Sequence, residues 1–170
     1  MALEFAILTA ARSGEVLGAR WEEIDLDAKV WTIPAGRMKG GREHRVPLSD
    51  PAMAILTQLS AAKISEFVFP GRRHHDPLSP TAMEKLLRRM RVADTVHGFR
   101  SSFRDWCGNE TSFPRELAEH ALAHVVGDRV EQAYRRDAAL EKRRPLMAAW
   151  AAFCERTSAD EKVTPLRRKA

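Results

Sequence analysis

Hydrophobic residues are spaced as in a helix at the start of this 170-residue chain, and as in strands soon afterwards. The apolar residues of 3–11 predict a mostly buried helix, followed by a short second helix at about 14–19. Two stretches, 24–26 and 30–33, alternate as strands do. Residues 46–48 predict a third strand, at a sheet edge because the central proline cannot donate to a ladder. The pattern therefore predicts a small antiparallel sheet of three strands.

Beyond residue 48 the hydrophobic spacing is mainly helical. Ser49-Asp50-Pro51 is typical of a helix start, with proline in the first turn, and predicts a helix to about residue 62. A short extended segment is expected at 67–70, and further helices from 79 and over 97–107, 114–123, 128–135 and 139–157. The last of these is expected to kink or restart at Pro145. We therefore expect an α+β fold, mainly helical, with a small three-stranded antiparallel sheet near the N-terminus.

The composition indicates one globular domain with a preference for anionic partners. The chain is 44% hydrophobic and 30% charged, and its formal net charge is +5, which favours a polyanionic partner. Cys107 and Cys154 match no metal-ligand or redox spacing, which indicates a reducing cytoplasm. No apolar run reaches transmembrane length. We expect a domain over 1–157 and a basic, disordered tail over 158–170.

His97 and Arg100 form the motif His-Gly-Phe-Arg. Residues three apart on a helix share a face, so both side chains can converge on one small anion. A guanidinium fork matches phosphate oxygens, and an imidazole adds a donor or moves a proton. The alternative is a histidine that caps the helix and an arginine that is solvated.

Arg12 and Lys39 are two further candidates. Arg12 ends an apolar helix, and Glu15, three positions later, can hold its guanidinium in place. The alternative for this pair is a surface ion pair worth about 0.2–0.5 kcal/mol. Lys39 lies in a glycine-rich connection between two strands. It can reach a substrate and donate a proton, or it can be a solvated turn residue.

The remaining histidines permit only a weak metal hypothesis. His120 and His124 lie one helical turn apart, as in a zinc pair, but a third ligand with suitable spacing is missing. His74-His75-Asp76 is compatible with a metal but is more typical of a solvated loop. We expect no metal site.

Tyr134 is the only tyrosine of the chain. It lies ten positions after His124 and next to Arg135 and Arg136. Cationic neighbours favour the phenolate, and tyrosine is among the side chains that form covalent intermediates once activated. The alternative is an aromatic residue that packs on a helix face.

Taken in order, these residues resemble the catalytic domain of the tyrosine recombinases, the phage-integrase family. That family has an early arginine, a lysine in a β-hairpin, a His-x-x-Arg box, a Leu-Gly-His box and a tyrosine about ten residues later. The matching residues are Arg12, Lys39, His97, Arg100, His124 and Tyr134. The resemblance covers about 3–153, and Ala123 replaces the glycine of the Leu-Gly-His box.

The resemblance implies a chemistry for the site. Tyr134 would attack a scissile DNA phosphate, giving a 3′-phosphotyrosyl bond and a free 5′-hydroxyl. Arg12 and Arg100 would clamp the non-bridging oxygens.

The other matched residues would assist this step. His97 would transfer a proton near the tyrosine, Lys39 would protonate the leaving oxygen, and His124 would donate a hydrogen bond to the phosphate. Glu15 would orient Arg12. The resemblance implies no metal, cofactor or ATP.

The partner that the resemblance implies is double-stranded DNA, bound in the cytoplasm at the nucleoid. The expected DNA contacts are Arg37, Arg42, Lys85, Arg88, Arg89, Arg135 and Arg136. We expect a homotetramer on DNA through a full-length protein whose helical DNA-clamping domain precedes this chain. The last helix is expected to pack either in cis or on a neighbouring subunit.

Two other functions remain open at the level of sequence. A DNA-relaxing enzyme of the type IB topoisomerase kind shares the same chemistry and differs in outcome. A non-catalytic DNA-binding remnant would keep the basic surface without the reaction.

Overall fold

Seven α-helices and one three-stranded sheet make up the part of the chain that the computed structural model describes, residues 1–73, 75–124 and 136–156. The helices are α1 (Ala2–Thr9), α2 (Ser13–Leu17), α3 (Asp50–Ser60), α4 (Ala82–Arg89), α5 (Val96–Glu110), α6 (Arg115–Ala121) and α7 (Arg136–Cys154). The strands are β1 (Ile24–Asp25), β2 (Val30–Ile33) and β3 (His44–Pro47). The predicted α+β, mainly helical fold class is confirmed.

The sheet has the order β1-β2-β3, and both pairs are antiparallel. Val30 is opposite Pro47, and Ile33 is opposite His44. Strand β3 therefore lies at an edge, where a proline is tolerated. It begins at His44, two residues earlier than the hydrophobic alternation indicates, because His44 and Arg45 are polar residues in a paired strand.

One hydrophobic core lies between α1, the sheet and α3. Phe5 of α1 is fully buried, and its ring centroid is 5.5 Å from those of Trp31 in β2 and Phe69. The Trp31 indole Nε1 donates to the carboxylate of Glu23 over 3.0 Å, which satisfies the polar atom of a buried aromatic residue. This core fixes α1 against the sheet, and with it the chain segment that follows α1.

A second core is built on the last helix. Trp150 of α7 packs against Phe103 and Trp106 of α5, with ring centroids 5.3 and 5.1 Å away. Its indole Nε1 donates to the Ile7 carbonyl oxygen of α1 over 2.8 Å. The helix therefore packs in cis, on α1, α5 and α6 of the same chain.

The expected restart of the last helix at Pro145 is wrong, because α7 continues through this residue. Proline removes one backbone hydrogen bond. Side-chain contacts hold the helix across this point: Arg144 donates to the Ala28 carbonyl oxygen over 3.1 Å, and Leu146 is fully buried.

The expected helix over 128–135 and the expected tail over 158–170 lie outside the described residues. Among the helices that are described, none combines the length and the apolar character that a bilayer-spanning helix requires.

Replacing Trp150 with Ala should lower the free energy of unfolding by about 3–5 kcal/mol, because the change leaves a cavity and removes the indole hydrogen bond to the Ile7 carbonyl oxygen. Urea unfolding followed by far-UV circular dichroism measures this effect without depending on the indole. Ala148→Ser, at an exposed position of the same helix, is the control and should change stability by less than about 0.5 kcal/mol. Equal stability of the two variants would contradict the role given to Trp150.

Candidate active site

Arg12 lies where the chain passes from α1 to α2. Ala10 is the C-cap of α1 and has a left-handed φ of 50°, and Arg12 then takes an extended conformation at the N-cap of α2. Glu15 accepts a hydrogen bond from the Arg12 backbone N–H over 2.8 Å and a second from Nη1 over 2.8 Å. The Glu15 side chain is only 5% exposed. One buried carboxylate thus fixes both the backbone and the guanidinium of Arg12, as the spacing of the two residues predicts.

Arg100 is buried in α5 and binds the ends of two other helices. Its Nη1 donates to the Ala10 carbonyl oxygen, and its Nη2 donates to the Leu122 carbonyl oxygen over 2.8 Å. Burial and the charge of Arg12 together lower the Arg100 pKa to about 10, although Glu15 acts in the opposite direction. The guanidinium therefore remains protonated at neutral pH. The alternative of a solvated arginine is wrong.

Arg12 and Arg100 form a cationic pair with Glu15 beside it. Two guanidinium charges and one carboxylate charge leave the cluster with a net charge of +1. A partly buried positive cluster attracts an anion more strongly than a solvated one, because the low dielectric screens it less. Arg12 keeps 28% of its side chain exposed, so the pair can be reached from solvent. The cluster is suited to binding a phosphate.

His124 lies two residues beyond Leu122 and is held by an acidic residue of α6. Its Nδ1 is 2.5 Å from the Glu119 carboxylate, which also accepts from Arg104 Nε over 2.7 Å. Burial alone would raise the Glu119 pKa, but the hydrogen bonds from His124 and Arg104 lower it below its usual value. Because an ionised carboxylate only accepts, Nδ1 carries the proton and Nε2 is left for a ligand. Sequence reasoning missed Glu119, since a spacing of five residues matches no helical contact.

The backbone conformation at Ala123 accounts for the glycine that the Leu-Gly-His box has at this position. Its φ of 51° lies in the left-handed region, which glycine adopts without strain. An alanine there costs about 1–2 kcal/mol. The His124 backbone N–H donates to the Glu119 carbonyl oxygen over 2.9 Å, so the turn is retained with alanine. The departure from the Leu-Gly-His box leaves the backbone path to His124 intact.

His97 and Lys39 are both exposed. His97 lies in the first turn of α5, but it does not cap the helix: the cap is Thr95, whose side chain accepts from the Gly98 N–H over 3.0 Å. The helix-capping alternative for His97 is therefore wrong. Lys39 lies between β2 and β3, next to the buried Met38. The side chains of His97 and Lys39 are therefore in contact with solvent, whereas the Arg100 side chain is buried.

The basic residues divide into two groups. Lys85, Arg88 and Arg89 are exposed on α4, and Arg42 is exposed before β3. Arg37 instead donates to the Glu23 carboxylate over 2.9 Å and to the backbone carbonyl oxygens of Glu15 and Gly18. The protein itself thus binds the Arg37 guanidinium, and its predicted DNA contact stays a prediction.

Some residues of the predicted site lie outside the part of the chain that the structure describes. Tyr134 and Arg135 are outside the described residues, as is the side chain of Arg136. Within the described ranges, no three histidine, cysteine, aspartate or glutamate side chains are grouped as metal ligands would be. His74 also lies outside these ranges.

Comparison with known proteins assigns the family. The model of the phage integrase family matches residues 1–141. The chain belongs to the phage integrase family. Prophage integrase IntA of Escherichia coli (strain K12) is 42% identical to this chain over 149 residues, covering 85% of the chain and 36% of the relative. The integrase of Shigella phage Sf6 is 35% identical over 160 residues, covering 91% of the chain and 40% of the relative.

A solved structure supports the fold of this chain. The crystal structure of XerA recombinase matches with a TM-score of 0.60 and 16% sequence identity, covering 92% of this chain and 62% of the other. At that identity the match shows the fold alone. The chain spans 36% and 40% of the length of the two integrases named above.

Replacing Glu119 with Gln should lower the free energy of unfolding by about 1 kcal/mol at neutral pH, because the hydrogen bonds to His124 and Arg104 are exchanged for weaker ones at a partly solvated site. A depressed carboxyl pKa adds stability above the unfolded pKa and loses it as pH falls through the folded pKa. The difference from wild type should therefore begin to shrink as pH falls below about 4, the ordinary carboxyl pKa, and should vanish only below the lowered pKa of Glu119.

Urea unfolding at several pH values measures this difference. Glu116→Gln, at an exposed position of the same helix, is the matched control and should show no such pH dependence. A Glu119→Gln difference that persists unchanged at low pH would contradict the ionic role of Glu119.

Proposed function

We propose that this chain is the catalytic domain of a site-specific DNA recombinase that cleaves and rejoins strands through a 3′-phosphotyrosyl intermediate. The observation that carries the proposal is the convergence of Arg12 and Arg100 around the buried Glu15 carboxylate. The two arginines are far apart in sequence, and the fold brings them together as a positive cluster that is suited to a phosphodiester.

The arginine pair would bind the scissile phosphate through its non-bridging oxygens. Arg100 is held by two backbone carbonyls and Arg12 by Glu15, so neither group has to reorganise when the substrate arrives. Pre-organised donors of this kind stabilise the extra negative charge of a pentavalent transition state. Because guanidinium groups supply this charge, the reaction requires no metal ion.

Tyr134 is the proposed nucleophile. Its phenolic oxygen forms a bond to phosphorus while the bond from phosphorus to the 5′-oxygen breaks. Lys39 donates a proton to that leaving oxygen, and His97 moves the proton of the tyrosine. His124, whose Nδ1 is engaged by Glu119, donates to the phosphate through Nε2 in its protonated form. The covalent bond stores the energy of the phosphodiester, so the 5′-hydroxyl of a second strand can reverse the step without ATP.

The partner is double-stranded DNA. The exposed side chains of Lys85, Arg88 and Arg89 on α4, together with Arg42, give a basic surface that suits the phosphate backbone. Arg135 and Arg136 directly follow the proposed nucleophile in the sequence. Action on chromosomal DNA would associate the protein with the nucleoid.

Recombination of two sites requires an assembly on DNA. We propose a homotetramer formed by a protein of the relatives' full length. This chain covers 36% of the IntA relative. The remainder of such a protein would supply the second half of the DNA clamp.

Tyr134→Phe should abolish covalent attachment to DNA, since phenylalanine lacks the attacking oxygen. A library of nicked duplexes with randomised sequence serves as substrate, because a nick beside the cleavage point traps the adduct. Wild-type chain should give SDS-resistant protein–DNA complexes that a protease releases, and it should do so equally well in EDTA.

Four outcomes decide between functions. Adducts that survive Tyr134→Phe, or a strict requirement for a divalent ion, would contradict the proposal. A wild-type chain that binds duplexes but forms no adduct would be a DNA-binding remnant. Relaxation of supercoiled plasmid without exchange between two captured sites would identify a topoisomerase instead.

Arg12→Ala should slow adduct formation by a factor of about 10²–10³, the usual loss for one donor to a transition-state oxygen, with little loss of DNA affinity. Arg88→Ala on α4 is the matched control. It should weaken binding and reduce the salt dependence of affinity by about one phosphate contact, while cleavage of bound DNA remains normal. If Arg12→Ala and Arg88→Ala behaved identically in the cleavage and binding assays, the separate roles of Arg12 in cleavage and of Arg88 in DNA binding would be contradicted.

A further inference from the structure

His44, the first residue of β3, lies where four other parts of the fold meet. Its Nε2 is 3.3 Å from the carbonyl oxygen of Ala121, the last residue of α6. The charges of Arg143 in α7, Arg100 in α5 and Arg12 before α2 all act on the ring. The hydrophobic pattern gave no reason to single out this histidine, because its partners are far away in sequence.

The surroundings of His44 keep its ring neutral. Burial and the charges of Arg143, Arg100 and Arg12 together lower the His44 pKa to about 3, although the Ala121 carbonyl acts in the opposite direction. A neutral imidazole carries one N–H, and a carbonyl oxygen only accepts. The proton is therefore on Nε2, and His44 donates a hydrogen bond here without adding a positive charge to a cationic site.

The Ala121 carbonyl belongs to a helix end that needs support. The last carbonyls of a helix have no partner within the helix. At the end of α6, His44 binds the Ala121 carbonyl and Arg100 binds the Leu122 carbonyl. The next residue, Ala123, is in the strained left-handed conformation that leads to His124. Two side chains thus clamp consecutive carbonyls immediately before a strained turn.

Arg143 of α7 also acts on the His44 ring. It is 5% exposed, its Nε donates to the Ala139 carbonyl oxygen over 3.0 Å, and its Nη1 has no hydrogen-bond partner among the described residues. A buried guanidinium next to an imidazole makes protonation of that imidazole unfavourable. The docking of α7 therefore helps to keep His44 in the form that can donate only through Nε2.

We propose that His44 is a positioning residue, whose Nε2–H holds the end of α6 so that Arg100 and His124 face the same phosphate. This inference rests on the proposed function, because the phosphate is the one that Arg12 and Arg100 would bind. His44 itself does not contact the reacting atoms. It acts through the Ala121 carbonyl and the turn at Ala123.

The test compares two replacements of similar size. In His44→Gln the amide nitrogen retains a donor at a similar reach, whereas His44→Met keeps the volume and removes the donor. Inorganic phosphate is titrated into chain labelled with ¹⁵N-histidine, and the His124 ring shifts report binding. His44→Met should raise the phosphate Kd about tenfold, and His44→Gln should stay within about threefold of wild type.

Equal loss of affinity in both variants, or no loss in His44→Met, would overturn the proposal. The ¹⁵N shifts of His44 in wild type give an independent readout that remains if His44→Met does not fold. They should show a neutral Nε2–H ring from about pH 5 to pH 8, and a protonated or Nδ1–H ring would overturn the proposal as well.

Neither readout requires strand cleavage, so the two proposals fail separately. A wild-type chain that binds phosphate as expected but forms no adduct with DNA would contradict the proposed function and leave the positioning role intact. Adduct formation that is normal in wild type and equally fast in His44→Met would contradict the positioning role alone.

Discussion

The buried guanidinium of Arg100 is the constraint on which the site depends. A charge that is taken out of water is costly unless hydrogen bonds satisfy it. Arg100 meets this requirement with the carbonyl oxygens of Ala10 and Leu122, one at the end of α1 and one at the end of α6. Because both bonds must form together, α5 fixes the two helix ends relative to each other. Arg12 follows the first of these ends by two residues, and His124 follows the second by two.

The two helix ends have a second property in common. Each passes through an alanine in the left-handed region, Ala10 with φ 50° and Ala123 with φ 51°. Such residues persist only where the surrounding structure determines their conformation. At Ala10 the support is Arg100 and the hydrogen bond from Trp150 to the Ile7 carbonyl, and at Ala123 it is Arg100 and His44. Of the four non-glycine residues with positive φ in the described part of the chain, these two thus lie beside the residues that we propose bind phosphate, and the other two are Lys29 and Arg91.

The local features of this protein could be predicted from its sequence, and the long-range ones could not. The sheet follows from alternation, and the Arg12–Glu15 contact follows from a spacing of three residues. The burial of Arg100 has no local sign, because its partners are backbone carbonyls at positions 10 and 122. His44 was missed for the same reason, whereas Glu119 was missed because its spacing of five residues from His124 matches no helical contact. Helix α7 continues through Pro145 because its tertiary contacts, centred on Trp150, outweigh one lost hydrogen bond.

A crystal structure of the chain covalently trapped on a nicked duplex tests most directly whether Arg12 and Arg100 hold one DNA phosphate. The expected result is a single phosphate, joined to the Tyr134 oxygen, with nitrogen–oxygen distances of about 2.8 Å to both guanidinium groups. Arg100 should keep its bonds to Ala10 and Leu122. A trapped phosphate that contacts neither arginine, or only one of them, would contradict the proposed site.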